Sequence, residues 1–185
     1  MEKIYRNLPE LETERLLLRK VEEGDYGDLF ECFQDPLVSR FTTWDAHKTI
    51  EDSKTLVKFI MKRYADNKPT NWAVVLKTGK KLIGTCGFSS SFPSNKRGEI
   101  SFALSRGSWG KGYATEVVKK TIEFGFKNIG FNRIEACCDL ENGASARVLE
   151  KCGMTFEGIL REYAFLKGEF RDMKCYAILA KEYKL

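Results

Sequence analysis

The run Gly107-Ser108-Trp109-Gly110-Lys111-Gly112-Tyr113-Ala114-Thr115 stands between a predicted strand and the start of a strongly amphipathic predicted helix. Glycines let a backbone turn sharply and approach a ligand closely, and the unpaired N–H groups of a first helical turn attract anions. Phosphate binding is the chemistry this arrangement suits, although the same glycines would serve a plain strand-to-helix turn. Spacing separates the known phosphate motifs. A P-loop needs a glycine five residues before Gly110 and Ser or Thr after Lys111, where this chain has Ser105 and Gly112. A dinucleotide fingerprint finds Gly110 and Gly112 but meets Thr115 at its third glycine, even though Glu135 and Asp139 lie near the place of a ribose-binding acid. That fold also repeats strand and helix several times, and this chain offers one such crossover.

The elements that must position the loop follow from periodicity. Arg15 to Lys20 reads as a short strand, and Asp25 and Thr49 read as N-caps of helices near residues 26 to 34 and 50 to 65. Trp72 to Lys77, Leu82 to Phe88 and Glu99 to Leu104 read as an antiparallel meander, with Ser89 to Asn95 as a long loop. Ala114, Val117, Val118, Ile122, Phe126 and Ile129 give the next helix an apolar side, opposite Glu116, Lys119, Lys120, Glu123 and Lys127. Because that helix carries the chain from strand 99 to 104 back to a strand at Arg133 to Asp139, the two strands should run parallel. A short helix at Ala144 to Lys151 and a closing pair of strands, Phe156 to Leu166 and Met173 to Ala180, complete an α+β mixed sheet with helices.

Composition bounds the rest. A length of 185 residues suits one domain spanning 1–185, and 43% apolar with 31% charged residues is a globular mixture. The net charge of +5 is scattered, without the basic stripe of a nucleic-acid binder. No apolar run approaches the roughly 20 residues that span a bilayer, and the opening Met1 to Asn7 holds none that could serve as a signal peptide. These features point to the reducing cytoplasm, where all six cysteines would be free thiols; the strand neighbours Cys137 and Cys138 face opposite ways. With no Cys-x-x-Cys pair and His47 as the sole histidine, no metal site is expected.

Taken with Asn142-Gly143-Ala144-Ser145-Ala146-Arg147-Val148-Leu149-Glu150-Lys151-Cys152-Gly153-Met154, the segment Leu104 to Glu116 resembles the GNAT superfamily of acetyl-CoA-dependent N-acetyltransferases. The match is to the branch resembling the ribosomal-protein N-terminal acetyltransferases, RimJ/RimL-like, and runs from Leu11-Glu12-Thr13-Glu14-Arg15-Leu16-Leu17-Leu18-Arg19 to Glu182-Tyr183. The resemblance implies a sheet whose fourth and fifth strands splay apart, with acyl-CoA in the V-shaped gap. It puts the pyrophosphate loop on Gly107, Ser108, Trp109, Gly110, Lys111 and Gly112, with Tyr113, Ala114 and Thr115 completing the nest. Gly107 departs from the family's Gln or Arg, so Arg106 or Lys111 would supply charge instead. Phe102, Ala103 and Leu104 would offer backbone to the pantetheine, Leu104 its N–H to the thioester oxygen, and Asn142 a further pantetheine contact.

Acetyl transfer to an amine needs an unprotonated nucleophile, a polarised carbonyl and a proton for the departing thiolate. Protein α-amino groups titrate at about 7.7 to 8.0 and lysine at about 10.4, so a base or an apolar pocket must help. By resemblance Glu99 is that base and Ser145 the acid, against the plainer readings of a solvated strand-end carboxylate and a first-turn residue capped by Asn142. Phe41 and Trp44 fall where the family builds its acceptor pocket, and local packing is the competing role. The implied partners are acetyl-CoA and a primary amine: a peptide or protein N-terminus, or else a polyamine, aminoglycoside or amino acid. A non-catalytic acyl-CoA sensor is the alternative outside enzymes, and the sequence leaves monomer or homodimer open.

Overall fold

The computed structural model describes residues 4–183; Met1 to Lys3, on which the reading of the opening residues partly rests, and the final Lys184 and Leu185 lie outside the described residues. Eight strands form one sheet: β1 (Leu11–Glu12), β2 (Leu16–Arg19), β3 (Asn71–Leu76), β4 (Leu82–Phe92), β5 (Arg97–Leu104), β6 (Arg133–Asp139), β7 (Thr155–Leu166) and β8 (Glu169–Leu179). Their order is β1-β2-β3-β4-β5-β6-β8-β7, antiparallel except between β5 and β6. The helices are α1 (Tyr26–Phe33), α2 (Pro36–Ser39), α3 (Ile50–Ala65), α4 (Tyr113–Phe124) and α5 (Gly143–Lys151). A π turn over Gly125–Ile129 extends α4, where the periodicity predicts an unbroken helix.

Side-chain alternation assigns each helix to a face. Trp72 stands edge-on to Phe124 of α4 with ring centroids 5.2 Å apart, and Cys86 Sγ lies 3.5 Å from Thr121 Oγ1, so these positions share the α4 side of the sheet. Their cross-strand partner Phe102, with Ile100 and Leu104, therefore points the same way. On the opposite side α3 is started by a capping box in which Asp52 Oδ2 accepts from Thr49 N at 2.8 Å. Its buried Val57, Ile60 and Tyr64 follow the predicted apolar stripe. The Tyr64 hydroxyl accepts from Val21 N at 3.0 Å and donates to Asn71 O at 2.6 Å, which ties α3 to the sheet.

Three expectations need correction. Asp25 does not cap α1 with its side chain; the carboxylate turns back to accept from Glu22 N and from Arg19, a nearby cation that outcompetes the helix end. The serine-rich stretch is not a long loop, because β4 runs on to Phe92, with a bulge between Phe88 and Ser90, and a short turn at Pro93–Asn95 returns the chain. Pairing with Arg97 to Glu99 overrides the weak strand preference of serine. Third, the cysteines are not all free: Cys137 and Cys175 are joined. They are directly opposite residues of β6 and β8 with Cα atoms 4.3 Å apart, a proximity that a separation of 38 residues hides from the sequence. Cys138, on the other face, stays a free buried thiol with Cys32, Cys86 and Cys152.

The cysteine arrangement sets a simple expectation. Denatured, unreduced protein should titrate four thiols, rising to six after reduction; six without reductant would show that the Cys137–Cys175 bond does not persist in solution.

Candidate functional site

Pairing between β5 and β6 joins Arg97 to Arg133, Gly98 to Ile134 and Glu99 to Glu135, and then stops. β6 remains paired with β8 along its whole length and β5 with β4 up to Leu104, so it is the facing edges of β5 and β6 that part. Ser105 donates to the Ile83 carbonyl at 2.8 Å. Antiparallel alternation then turns the N–H and C=O of Leu104 and Phe102 away from β4 and into the gap, together with the C=O of Ile100, while those of Ala103 are spent on Thr85. The implied backbone role therefore fits Phe102 and Leu104 and not Ala103. The Leu104 carbonyl is occupied by the Trp109 indole, whose Nε1–H donates to it at 2.9 Å, which leaves the Leu104 N–H facing the gap.

Each strand bordering the gap leads into a helix, β5 into α4 and β6 into α5. Past Leu104 the chain makes a single 3₁₀ turn, Arg106–Ser108, closed by the Ser105 and Ser108 hydroxyls at 2.9 Å. Gly110 (φ 74°) and Gly112 (φ 81°) then take left-handed conformations that a side chain would strain, and so expose the loop's inner surface. A Cβ added at Gly107 or Gly110 would meet nothing within 4 Å, and both positions are exposed. Among the described residues no hydrogen bond is found for the N–H groups of Gly110 through Thr115, the first intrahelical donor being Glu116 to Gly112 O. Six open amides at a helix N-terminus fit a pyrophosphate. After β6, α5 begins at Asn142, whose Oδ1 accepts from Ser145 N at 3.1 Å, and Ser145 is half-buried. The two helices touch where Cys152 Sγ meets Thr115 O at 3.5 Å.

At the closed end of the gap Glu99 and Glu135 are register partners on the sheet face turned away from α4. Glu135 is neutralised by Arg97 at 3.1 Å and Arg133 at 2.9 Å, and Arg133 also pairs with Glu157. Glu99 enters no ion pair among the described residues. Burial pushes its carboxyl above the usual range, the Glu135 charge adds to the push, and Ser90 and Arg97 oppose it without reversing it. A carboxylate so placed holds a proton more readily than a solvated one, the property wanted of a base working on an amine.

The same face continues to Asp139, 1% exposed, whose oxygens accept from Arg171 Nε at 2.8 Å and Nη2 at 3.2 Å and from Glu141 N at 2.8 Å. Around it lies a cavity of about 250 Å³ lined by Arg40, Phe41, Asp139, Leu166, Lys167 and Arg171, among others. Residues 35 to 48 and the 160 to 172 hairpin do meet there, Lys167 Nζ donating to Ser39 O at 2.8 Å. Phe41 lines this cavity. Trp44 instead packs on Phe33 at 4.9 Å and on His47 at 5.8 Å, so packing is its visible role. The sequence did not reveal Asp139 with Arg171, or Thr13 and Arg15, which reach Glu116 and the 107 to 115 loop from the turn between β1 and β2; each acts across a long sequence separation that leaves no local pattern.

Residues 15–155 match the family model described as an acetyltransferase (GNAT) domain. The chain is 34% identical over 173 residues to a Bacillus licheniformis protein described as "Uncharacterized N-acetyltransferase p20", covering 94% of this chain and 97% of that one. It is 27% identical over 131 residues to YdaF of Bacillus subtilis (strain 168), provisionally described as a ribosomal N-acetyltransferase, covering 71% of this chain and 70% of that one. A solved GNAT-family acetyltransferase from Bacillus anthracis superposes with a TM-score of 0.84 at 32% identity, over 94% of this chain and 99% of that one. The chain belongs to the GNAT acetyltransferase family and is an acetyl-CoA-dependent acyltransferase. No helix among the described residues is long and apolar enough to cross a membrane.

The buried acid at the end of β6 sets a pH expectation. Burial raises the Asp139 carboxyl, but Arg171 and the Glu141 N–H outweigh it and hold the group below the ordinary aspartate range. A depressed folded-state value stabilises the fold fully above the unfolded value of about 3.9 and ceases to do so as pH falls through the lower one. Asp139→Asn should therefore cost about 2 kcal/mol in urea unfolding at neutral pH, with the difference from wild type shrinking in acid. A constant difference down to strong acid would contradict the assignment.

Proposed function

We propose that the chain transfers an acetyl group from acetyl-CoA to a primary amine in a direct ternary complex, with a peptide or protein N-terminal α-amino group as the acceptor. The observation that carries this reading is the parted edge of β5, which ends at six open amides on one side and at desolvated, ion-pair-free Glu99 on the other. Bound acetyl-CoA supplies the acyl group as a thioester with a tolerable thiolate leaving group. The amides of Gly110 to Thr115 would hold its pyrophosphate, while Phe102 and Asn142 would hold its pantetheine arm. In this scheme the Leu104 N–H donates to the thioester oxygen as negative charge develops there. Glu99 takes the proton of the attacking amine, directly or through water, and Ser145 returns a proton to the departing sulfur. The cavity beside Phe41 and Arg171 gives the rest of the acceptor a place on the same sheet face. The α-amino reading draws on the likeness to YdaF, and the proposed setting is the cytoplasm, where the half-exposed Cys137–Cys175 bond is open to reduction.

Cofactor binding is tested by thermal shift. CoA or acetyl-CoA should raise the melting temperature and NAD should not, and Gly112→Val should abolish the effect by straining the turn and filling the approach. A wild type stabilised by NAD and indifferent to CoA would refute the site. Catalysis is tested by thiol release from acetyl-CoA with peptides, polyamines and aminoglycosides as acceptors. Glu99→Gln should lower kcat roughly 10²-fold near neutral pH, with partial recovery at higher pH as more amine is already neutral. Ser145→Ala should cost less, and neither should change the KM for acetyl-CoA greatly. Full activity of both variants across the pH range would remove both residues from the mechanism. Turnover on polyamines or aminoglycosides with none on peptides would replace the proposed acceptor.

A further inference from the structure

The anion loop carries an acid in the wrong place for its proposed ligand. Glu116 lies in the first turn of α4, immediately after the six open amides, and is 17% exposed. Burial raises its carboxyl, but Thr13 and Arg15 outweigh that and hold it below the usual range, so it is ionised at neutral pH. A carboxylate there suits the helix dipole of the empty protein, yet it repels any anion brought to the same turn. Of the nearby cations, Arg106 is engaged with Asp35 at 3.5 Å. The cation that pairs with Glu116 is Arg15, in the turn between β1 and β2, about a hundred residues earlier in the chain.

Arg15 makes four contacts there. Its Nε donates to Glu116 Oε2 at 2.7 Å and its Nη2 lies 2.6 Å from the same oxygen. Its Nη1 donates to the Lys111 carbonyl at 3.0 Å, and its Cζ sits 4.6 Å from the centre of the Tyr113 ring. The backbone N–H of Arg15 and the Thr13 hydroxyl both donate to the other carboxylate oxygen, Oε1, at 3.0 Å and 2.5 Å. A Cβ on Gly112 would come within 3.4 Å of the guanidinium, so the charge stands against the loop's second left-handed glycine.

We infer that Arg15 is a positioning residue for the anion loop: by cancelling the Glu116 charge and fixing the Lys111 carbonyl, it makes the first turn of α4 hospitable to a pyrophosphate. This rests on the CoA reading proposed above.

Binding measured directly separates this from a structural role. CoA and pantetheine, which lacks the pyrophosphate, are titrated calorimetrically at low salt into wild type, Arg15→Met, Glu116→Gln and the double variant, each first checked for an intact melting transition. Arg15→Met should weaken CoA about tenfold and leave pantetheine unchanged, as expected for losing one favourable charge near a helix end. Glu116→Gln should bind CoA at least as well as wild type. The double variant should regain most of the lost affinity, because the repelling charge has gone with its partner. Unchanged CoA affinity in Arg15→Met, equal losses for CoA and pantetheine, or a double variant as weak as Arg15→Met would each overturn the inference while leaving the CoA site standing. A wild type that does not bind CoA would overturn both.

Discussion

The end of hydrogen bonding between β5 and β6 after Glu99 and Glu135 is the constraint on which the rest of this structure turns. Backbone N–H and C=O groups are obligatory bonding groups, and two strands that part inside a sheet leave a row of them facing each other without partners. Most sheets avoid this by continuous pairing. Here it is sustained because β5 is held by β4 and β6 by β8, so each strand keeps one complete ladder while the other edge opens. Alternation decides which residues the opening exposes: Leu104 and Phe102 turn their backbone into it, and Ala103 does not. The capacity of the gap to pair with an extended ligand carrying amides is thus a property of register before it is a property of side chains.

Ion pairs cross the sheet where the strands begin to part. At the last paired positions Glu135 is bracketed by Arg97 and Arg133, and Arg133 reaches on to Glu157 of β7, so ion pairs link β5, β6 and β7 where the strands begin to part. Glu99 sits inside this network without sharing its cations, and burial and the neighbouring carboxylate both act to raise it. An arginine turned toward Glu99 would lower its basicity, so the network's partner choice bears on the proposed chemistry as directly as the identity of Glu99.

Much of this was legible locally. The amphipathic period of α3 and α4, the Thr49 and Asn142 caps and the glycines at 110 and 112 all express interactions that close within a few residues, and the parallel relation of β5 and β6 follows from one crossover helix. Interactions that close over long separations were not legible. Asp25 was claimed by Arg19 and not by its helix, Ser89 to Phe92 became strand because Arg97 to Glu99 lie opposite, and Cys137 met Cys175 through β8. The acceptor side shows the same division: only the fold brings residues 35 to 48 to the 160 to 172 hairpin, and only the fold shows that Phe41 faces the cavity while Trp44 is spent on Phe33.

The charges around the loop show why motif and function can part company. A motif records which residues stand next to one another along the chain, whereas a bound anion responds to every charge within a Debye length of about 8 to 10 Å, whatever its position in the sequence. Gly107 leaves the loop without its expected side chain, but the field at the first turn of α4 is set jointly by Glu116, which opposes an anion, and by Arg15, which answers Glu116 from another strand. Losing a motif residue therefore does not predict losing the site, and keeping every glycine would not secure it if Arg15 were absent. The unit that matters is the balanced turn, and it is assembled by the packing of β2 beside α4 as much as by residues 107 to 115.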